Sequence, residues 1–248
     1  MASDSQIVTD RLGRKLRSIF ALSSEEQAAV DTLPVNVVEL KARHEIVREG
    51  ERPTRCFFIL EGMTCLYQTT EKGNRQIVAV HVAGDVPDLQ SLHLPLLDFN
   101  AATLSPTRLG FIPHTAVRDL CERYPRINNA LWRASLVDAA NFRAWVTNIG
   151  QRPAYSRTAH FLCEMLVRHA AVGLADNRTI ALPVTQGELA DALGLSIVQV
   201  NRSLQKLRTA GLIQLKDGVL KALDWRGLVQ AAEFDPTYLH LLNPAIAE

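Results

Sequence analysis

The stretch at residues 185–213, TQGELADALGLSIVQVNRSLQKLRTAGLI, carries two helix-start signals in close succession. Thr185 and Glu188 have the spacing of a capping box, in which reciprocal side-chain-to-backbone hydrogen bonds close the first turn of a helix. Ser196 and Gln199 repeat that spacing. The stretch therefore predicts two short consecutive helices.

The second of these helices has one apolar and one basic face. Val200, Leu204 and Leu207 recur at helical spacing and predict a buried stripe. Gly194, just before the helix, can adopt the positive φ of a tight turn. The opposite face carries three cations and no acid; its residues are Val198, Gln199, Asn201, Arg202, Gln205, Lys206 and Arg208. This arrangement favours recognition in the DNA major groove, and a helical hairpin with a solvated charged face is the alternative.

These residues resemble the helix-turn-helix of the catabolite activator and fumarate-nitrate regulator (Crp/Fnr) family of transcription factors. The positions on the family's pattern are Leu189, Ala190, Gly194, Ser196, Val200, Arg202 and Leu204. A hairpin signal follows, because Asp217-Gly218 separates two short apolar runs. The DNA-binding unit is therefore predicted to be a winged helix. The resemblance implies a homodimeric transcription regulator that binds a palindromic operator in double-stranded DNA.

The recognition helix also predicts which residues touch DNA. Arg202 lies where the family has a guanine-reading arginine, whose guanidinium can donate two hydrogen bonds to guanine O6 and N7. Val198 departs from the family's common glutamate and could contact only a thymine methyl group. We expect base contacts from Ile197, Val198, Gln199, Asn201 and Arg202. We expect phosphate contacts, or else caps and solvated surface positions, at Thr185, Gln186, Ser196, Ser203, Lys206 and Arg208.

Composition sets the broad class of the protein. The 248 residues are 47% hydrophobic and 21% charged, which is typical of a globular chain long enough for two cores. The net charge of +1 means that a DNA-binding field must come from local clustering of charge. No apolar run approaches the roughly 18 residues of a membrane span and no secretory signal is present, so we expect a cytoplasmic protein with no membrane partner.

Enzyme and metal motifs are missing from the sequence. It contains no phosphate-binding glycine loop, no H-E-x-x-H and no nucleophile elbow, so we do not expect an enzyme. The four cysteines are widely spaced and include no C-x-x-C pair, so we expect no metal site; they are Cys56, Cys65, Cys121 and Cys163.

The N-terminal half has a different texture. Residues 35–113 consist of short β-rich runs separated by turn residues, which indicates a compact all-β unit. The run REGERPTRCFFILEGMTCLY, followed by Gly84-Asp85, resembles the β-roll of cyclic-nucleotide-binding domains. Two short helices are predicted before it, the second begun by Ser24 with Gln27.

The predicted fold class is α+β. It combines a cyclic-nucleotide-binding-like β-roll (jelly roll), a long dimerisation helix and a C-terminal winged helix-turn-helix. The predicted segments are an N-terminal helical cap at 1–34, the sensor β-roll at 35–125, the dimerisation helix at 126–150, the DNA-binding domain at 151–232 and a C-terminal tail at 233–248.

The long helix carries a broad apolar band. Pro125 is suited to its first turn and Gly150 is predicted to end it. The band is too wide for one narrow seam, so we expect one part to pack on the β-roll and the other on a second copy. The alternative is that all of it packs within one chain. The predicted dimer contacts are Leu131, Leu136, Ala139, Phe142, Trp145, Val146 and Ile149.

The effector is not assigned by the sequence. A possible pocket is formed by Gly84, Asp85, Asp88, Leu89, Gln90, Phe99 and Asn100. The glycine-glutamate and arginine-serine pairs that would hold the ribose and the cyclic phosphate are absent, so binding of a cyclic nucleotide is not expected. No cysteine precedes Cys56, which removes the family's iron-sulfur motif, and a lone histidine is a weak signal for haem. The cofactor therefore stays unknown.

The sequence leaves two further kinds of protein partner open. A transcription activator would also contact RNA polymerase. A rival function is a small-molecule sensory module that acts through a protein partner, with the winged helix as the protein contact.

Overall fold

The computed structural model describes residues 4–243, with side chains from residue 11 onward. Residues 1–3 of the predicted cap and 244–248 of the predicted tail lie outside the described residues. The chain forms two compact units. The first contains the described residues up to Tyr67 together with Val80–Ala139, and the second contains Gln68–Ala79 and the described residues from Ala140 onward.

The first unit contains most of two β-sheets. Their strands are β1 Asn36–Leu40, β2 Glu45–Val47, β3 Arg55–Glu61, β4 Thr64–Thr69, β5 Arg75–His81, β6 Asn100–Thr103 and β7 Thr107–Pro113. One sheet has three strands in the order β1–β7–β3, and the other has four in the order β2–β6–β4–β5. This arrangement confirms the predicted β-roll.

Strand β3 is buried on both of its faces. Cys56, Phe58 and Leu60 pack in one core with side chains of the neighbouring helices. Phe57 and Ile59 point to the opposite face, because side chains alternate along a strand, and both are fully buried. The helices of this unit are α1 Asp4–Ile19, α2 Ser24–Asp31, α3 His114–Arg123 and the first part of α4 Pro125–Gln151, with a 3-10 turn at Leu89–Leu92.

The start of α2 differs by one residue from the predicted cap. The capping box is formed by Ser23 and Glu26, not by Ser24 and Gln27. The Glu26 carboxylate is buried and also forms an ion pair with Arg126, whose Nε lies 2.8 Å from Glu26 Oε1. The capping residue Glu26 therefore also contacts α4, and the local spacing of Ser24 and Gln27 could not indicate a contact so distant in sequence.

Helix α4 begins at the predicted Pro125 but does not end at Gly150. It continues to Gln151, because a single glycine weakens a helix without breaking it. Pro153 ends it instead, since proline disfavours helical backbone in the residue before it. The unit boundary falls between residues 139 and 140, inside the predicted dimerisation helix, because the end of α4 packs on α5, Ala154–Ala171.

The second unit contains the predicted winged helix. Its elements are α5 Ala154–Ala171, β8 Thr179–Ala181, α6 Gln186–Leu193, α7 Ile197–Thr209, β9 Ile213–Lys216, β10 Val219–Ala222, α8 Trp225–Ala232 and a 3-10 turn at Pro236–Leu239. The three strands form an antiparallel sheet in the order β8–β10–β9. The turn between β9 and β10 has positive φ at both Asp217 and Gly218, as a tight hairpin turn requires. Among the described residues, no helix is both long and apolar enough to cross a lipid bilayer.

The C-terminal tail packs on α5 through a buried carboxylate. Glu164 is 0% exposed and accepts hydrogen bonds from Trp145 Nε1 at 3.0 Å, Arg168 Nη1 at 3.0 Å and Tyr238 Oη at 2.8 Å. His160 Nε2 lies 3.2 Å from the same Tyr238 hydroxyl. A buried carboxylate is stable only when donors surround it, so these contacts attach the tail to α4 and α5.

Replacement of Tyr238 by phenylalanine tests this attachment. The change removes one donor from buried Glu164, and we expect the free energy of unfolding to fall by about 1–3 kcal/mol. Urea denaturation measures this value. Tyr155→Phe, on the same helix as Glu164, is the matched control and should change it by less than about 0.5 kcal/mol. Equal effects of the two substitutions would contradict the proposed role of the Tyr238 hydroxyl.

Candidate nucleic-acid interface and sensor region

Both predicted capping boxes are present in the helix-turn-helix. The Thr185 side chain accepts a hydrogen bond from Glu188 N at 3.2 Å, and Thr185 N donates to Glu188 Oε2 at 2.7 Å. At α7, Gln199 N donates to Ser196 Oγ at 3.2 Å and Ser196 N donates to Gln199 Oε1 at 2.9 Å. These bonds satisfy backbone donors at the start of each helix and so fix where α6 and α7 begin.

The turn between the two helices depends on Gly194. Its φ of 59° lies in the left-handed region, which favours glycine. Arg157 of α5 donates from Nη1 to the carbonyl oxygen of Leu193 at 2.8 Å and so caps the C-terminus of α6. Desolvation by burial lowers the pKa of Arg157 from its ordinary value. The turn is thus held both by its own backbone and by α5.

Helix α7 divides into a buried and an exposed face. Val200, Leu204 and Leu207 are buried, as the helical spacing predicts. Ile197 and Val198 are 55% and 57% exposed although both are apolar. Gln199, Asn201, Arg202 and Lys206 are also exposed. The five predicted base-reading residues therefore share the outward side of the first turns of this helix.

Some of the predicted phosphate contacts are exposed, and others form hydrogen bonds within the protein. Lys206 is exposed, and Thr185 and Ser196 are exposed residues whose side chains serve as caps. Ser203 is 3% exposed and its hydroxyl donates to Gln199 O within the helix, so it lies on the inner side of α7. Arg208 donates from Nη2 to Leu215 O at 3.1 Å and so contacts the wing.

Gln186 is half-buried at the start of α6. Its side chain stays a proposed phosphate contact. Burial contradicts the predicted phosphate contact of Ser203. This residue follows the buried Val200 by three positions, and that spacing places it on the same inner face of the helix.

Comparison with known protein families identifies both halves of the chain. Residues 156–231 match the Crp-like helix-turn-helix domain, and residues 37–124 match the cyclic nucleotide-binding domain. The chain belongs to the Crp/Fnr family. The β-roll thus precedes the helix-turn-helix in the chain.

Individual relatives are distant but cover most of the chain. The transcriptional activator protein FnrA of Stutzerimonas stutzeri is 23% identical over 212 residues, 86% of each chain. The nitrogen fixation regulation protein FixK of Rhizobium meliloti is 28% identical over 186 residues, 74% of this chain and 81% of FixK. The solved structure of FixK2 from Bradyrhizobium japonicum has a TM-score of 0.73 at 24% identity and covers 80% of this chain and 98% of FixK2.

In this Crp/Fnr chain the predicted effector residues Gly84 and Asp85 pack against helix α1. A Cβ atom at Gly84, where φ is 95°, would lie 2.8 Å from Lys15 Cβ. The Asp85 carboxylate forms an ion pair with Lys15 Nζ at 2.8 Å. Asp85 also accepts from Val82 N. Helix α1 therefore covers the turn in which the sequence placed the pocket.

Asp88 is likewise a buried structural residue. It is 1% exposed, and its Oδ1 accepts a hydrogen bond from Phe57 N at 2.9 Å. Desolvation by burial raises the pKa of Asp88 to about 8. The carboxyl group is thus held in a site that favours its neutral form and connects the 3-10 turn to β3.

Of the four remaining predicted effector residues, two have structural contacts and two line a cavity. Phe99 is buried, and Asn100 accepts from Glu49 N at 3.2 Å. Leu89 and Gln90 line a cavity of about 330 Å³ together with residues of α3 and α4. The structure therefore brings only two of the seven predicted residues to this cavity.

Helix α4 exposes a narrower apolar stripe than the predicted band. Trp145 is buried and donates to Glu164, and Leu131 packs against the core of the first unit, so both face their own chain. The stripe, defined by the exposed apolar residues of α4, consists of Trp132, Leu136, Phe142 and Val146. Trp132 is 63% exposed and was missed by the sequence analysis, although its spacing of four residues from Leu136 could have indicated it.

The raised pKa of Asp88 predicts a pH-dependent stability. Between the ordinary pKa near 3.8 and the folded value of about 8, the folded state keeps a proton that the unfolded state releases. The contribution of this group is therefore complete below the unfolded pKa and is lost as the pH rises through about 8. Asp88→Asn stays neutral and keeps an acceptor for Phe57 N.

We therefore expect Asp88→Asn to gain stability relative to the unmodified protein as the pH is raised from about 5 to about 8.5. Urea midpoints at the two pH values measure the difference. Asp119→Asn, at an exposed carboxylate of α3, is the control and should show no such trend. A difference between Asp88→Asn and the unmodified protein that is independent of pH would contradict the assignment.

Proposed function

We propose that the protein is a homodimeric transcription regulator that binds specific DNA sequences. In this proposal the β-roll senses an effector and α4 transmits its state to the recognition helices. The observation that supports it most strongly is the outward face of α7, which is polar and basic around two exposed apolar residues. A helix of this kind, positioned by a preceding helix and tight turn, suits the major groove.

Arg202 is the proposed base reader. The residue is exposed, and within residues 4–243 its guanidinium forms no hydrogen bond or ion pair. The fork of N–H donors is thus available for guanine O6 and N7. Val198 and Ile197 beside it offer contact with thymine methyl groups. Lys206 is the proposed phosphate contact on the same face.

The stripe on α4 is the proposed dimer surface. Its side chains are exposed, and burial against a second copy would remove them from water. Ala139 and Ile149, which are half-buried, flank it and stay in the proposed interface. A two-fold dimer presents two recognition helices and so matches a palindromic operator.

The proposed effector is not a cyclic nucleotide. Residues 84–100 contain three aspartates and neither arginine nor lysine. Asp85 and Asp88 are buried in this segment. A site for an anionic phosphate would need cationic or N–H donors where these carboxyl groups lie. Since FnrA is named a transcriptional activator, contact with RNA polymerase and action in the cytoplasm complete the proposal.

Loss of the Arg202 side chain tests the base-reading role. We expect Arg202→Ala to reduce the preference for a duplex enriched from a random library over unrelated DNA by about tenfold or more, because each bidentate arginine contributes about 1–3 kcal/mol. Competition gel shifts measure the ratio. Arg226→Ala removes one exposed charge outside the helix-turn-helix and should leave it unchanged. An unchanged ratio for Arg202→Ala would disprove the role.

A charge within the stripe tests the dimer. Val146 is 72% exposed, so Val146→Asp leaves the folded chain intact but places a carboxylate in the proposed interface. We expect its dimer dissociation constant to rise by about tenfold or more. Sedimentation equilibrium detects the change from twice the 27.5 kDa chain mass towards that mass. Thr147→Asp, at the next exposed position, is the control, and equal effects of the two would contradict the interface.

A further inference from the structure

A second feature of the sensor unit is the cavity of about 330 Å³ between the 3-10 turn, α3 and the first part of α4. Its walls are mainly apolar and include Leu89, Leu92, Val117, Cys121, Leu131 and Trp132. The volume lies at the lower end of the range for small-molecule sites, roughly 300–1,000 Å³. A small apolar group therefore fits within it.

Arg118 gives this apolar cavity one permanent positive charge. The other polar residues that line it are amides, a hydroxyl and a histidine, and none of the lining residues is an aspartate or a glutamate. Arg118 donates from Nη2 to Leu92 O at 2.8 Å, which holds the guanidinium beside the 3-10 turn. Since a guanidinium has five N–H donors, this bond leaves others for a ligand. The electrostatics of the cavity thus favour an anion.

We propose that this cavity binds a small monocarboxylic acid with an unbranched or aromatic apolar body. The apolar body lies among the leucines and Val117, and the carboxylate pairs with Arg118, which matches a planar fork to a planar acceptor. A neutral molecule of the same shape gains only the apolar contacts. The site is distinct from the turn at Gly84 and Asp85, which α1 covers.

Trp132 connects this site to the proposed dimer. Its side chain lines the cavity and is also the first exposed residue of the stripe on α4. A ligand that packs against one side of the indole shifts the ring, and its other side then contacts a second copy differently. Binding and dimer formation are then coupled, provided that the ligand has different affinities for the two states. Only this coupling rests on the proposed function; the binding itself does not.

Cys121 supplies a reporter within the cavity. Cys56, Cys65 and Cys163 are buried at 1% or less, whereas Cys121 is half-buried and lines the cavity. The neutral reagent N-ethylmaleimide should therefore modify Cys121 first in the folded protein. Mass spectrometry of the full chain measures its rate, and Cys121→Ser should remove this reaction.

The probes are octanoate and 1-octanol, which share a chain length and differ in charge. We expect octanoate to slow the modification of Cys121 at about tenfold lower concentration than 1-octanol, because of the charge-assisted hydrogen bond to Arg118. Arg118→Gln should abolish that difference and leave protection by 1-octanol. Arg123→Gln, another cation of α3 that does not line the cavity, should preserve it.

Three results would overturn the proposal. The first is no protection by either probe, and the second is equal protection by both in the unmodified protein. The third is protection that rises with protein concentration alone, which would mean that a second copy fills the cavity. Because no DNA is present, failure here leaves the gel-shift result intact, and failure of DNA binding leaves this result intact.

Discussion

The burial of Val200, Leu204 and Leu207 is the constraint on which the DNA-binding unit depends. These side chains pack α7 against α5 and α6, so helical periodicity turns Arg202 and Lys206 outward. The two caps and Gly194 then determine where α7 begins. The buried face of α7 therefore determines which of its side chains are exposed, and these exposed side chains are the proposed DNA contacts.

A second constraint is the charge of Glu164 within the core of the same unit. An unpaired carboxylate at that depth would be strongly unfavourable, and three donors from α4, α5 and the C-terminal turn surround it. This requirement binds together segments that are far apart in the sequence. It also explains why Trp145, a predicted dimer contact, faces its own chain. The exposed stripe on α4 is then the part of the helix that is proposed to contact a second copy.

The sequence was sufficient for several local signals. The capping boxes of α6 and α7, the turn at Asp217-Gly218 and the buried period of α7 each involve residues close together, and each of these predictions was confirmed. The cap of α2 was predicted one residue too late, at Ser24 instead of Ser23. The sequence was also insufficient where burial depends on a distant element. Asp85 and Asp88 looked like a pocket because their partners, Lys15 and the backbone of Phe57, lie far away in the chain. The inner and outer faces of α4 could not be separated for the same reason.

The central claim is that two copies of the recognition helix read DNA together. Selection of duplexes from a random library with the unmodified full-length protein, followed by sequencing, tests it most directly. The account predicts enrichment of an inverted repeat whose half-sites are centred about one helical turn, roughly 10 base pairs, or a multiple of this distance apart. No enriched sequence, or an enriched motif without two-fold symmetry, would contradict it.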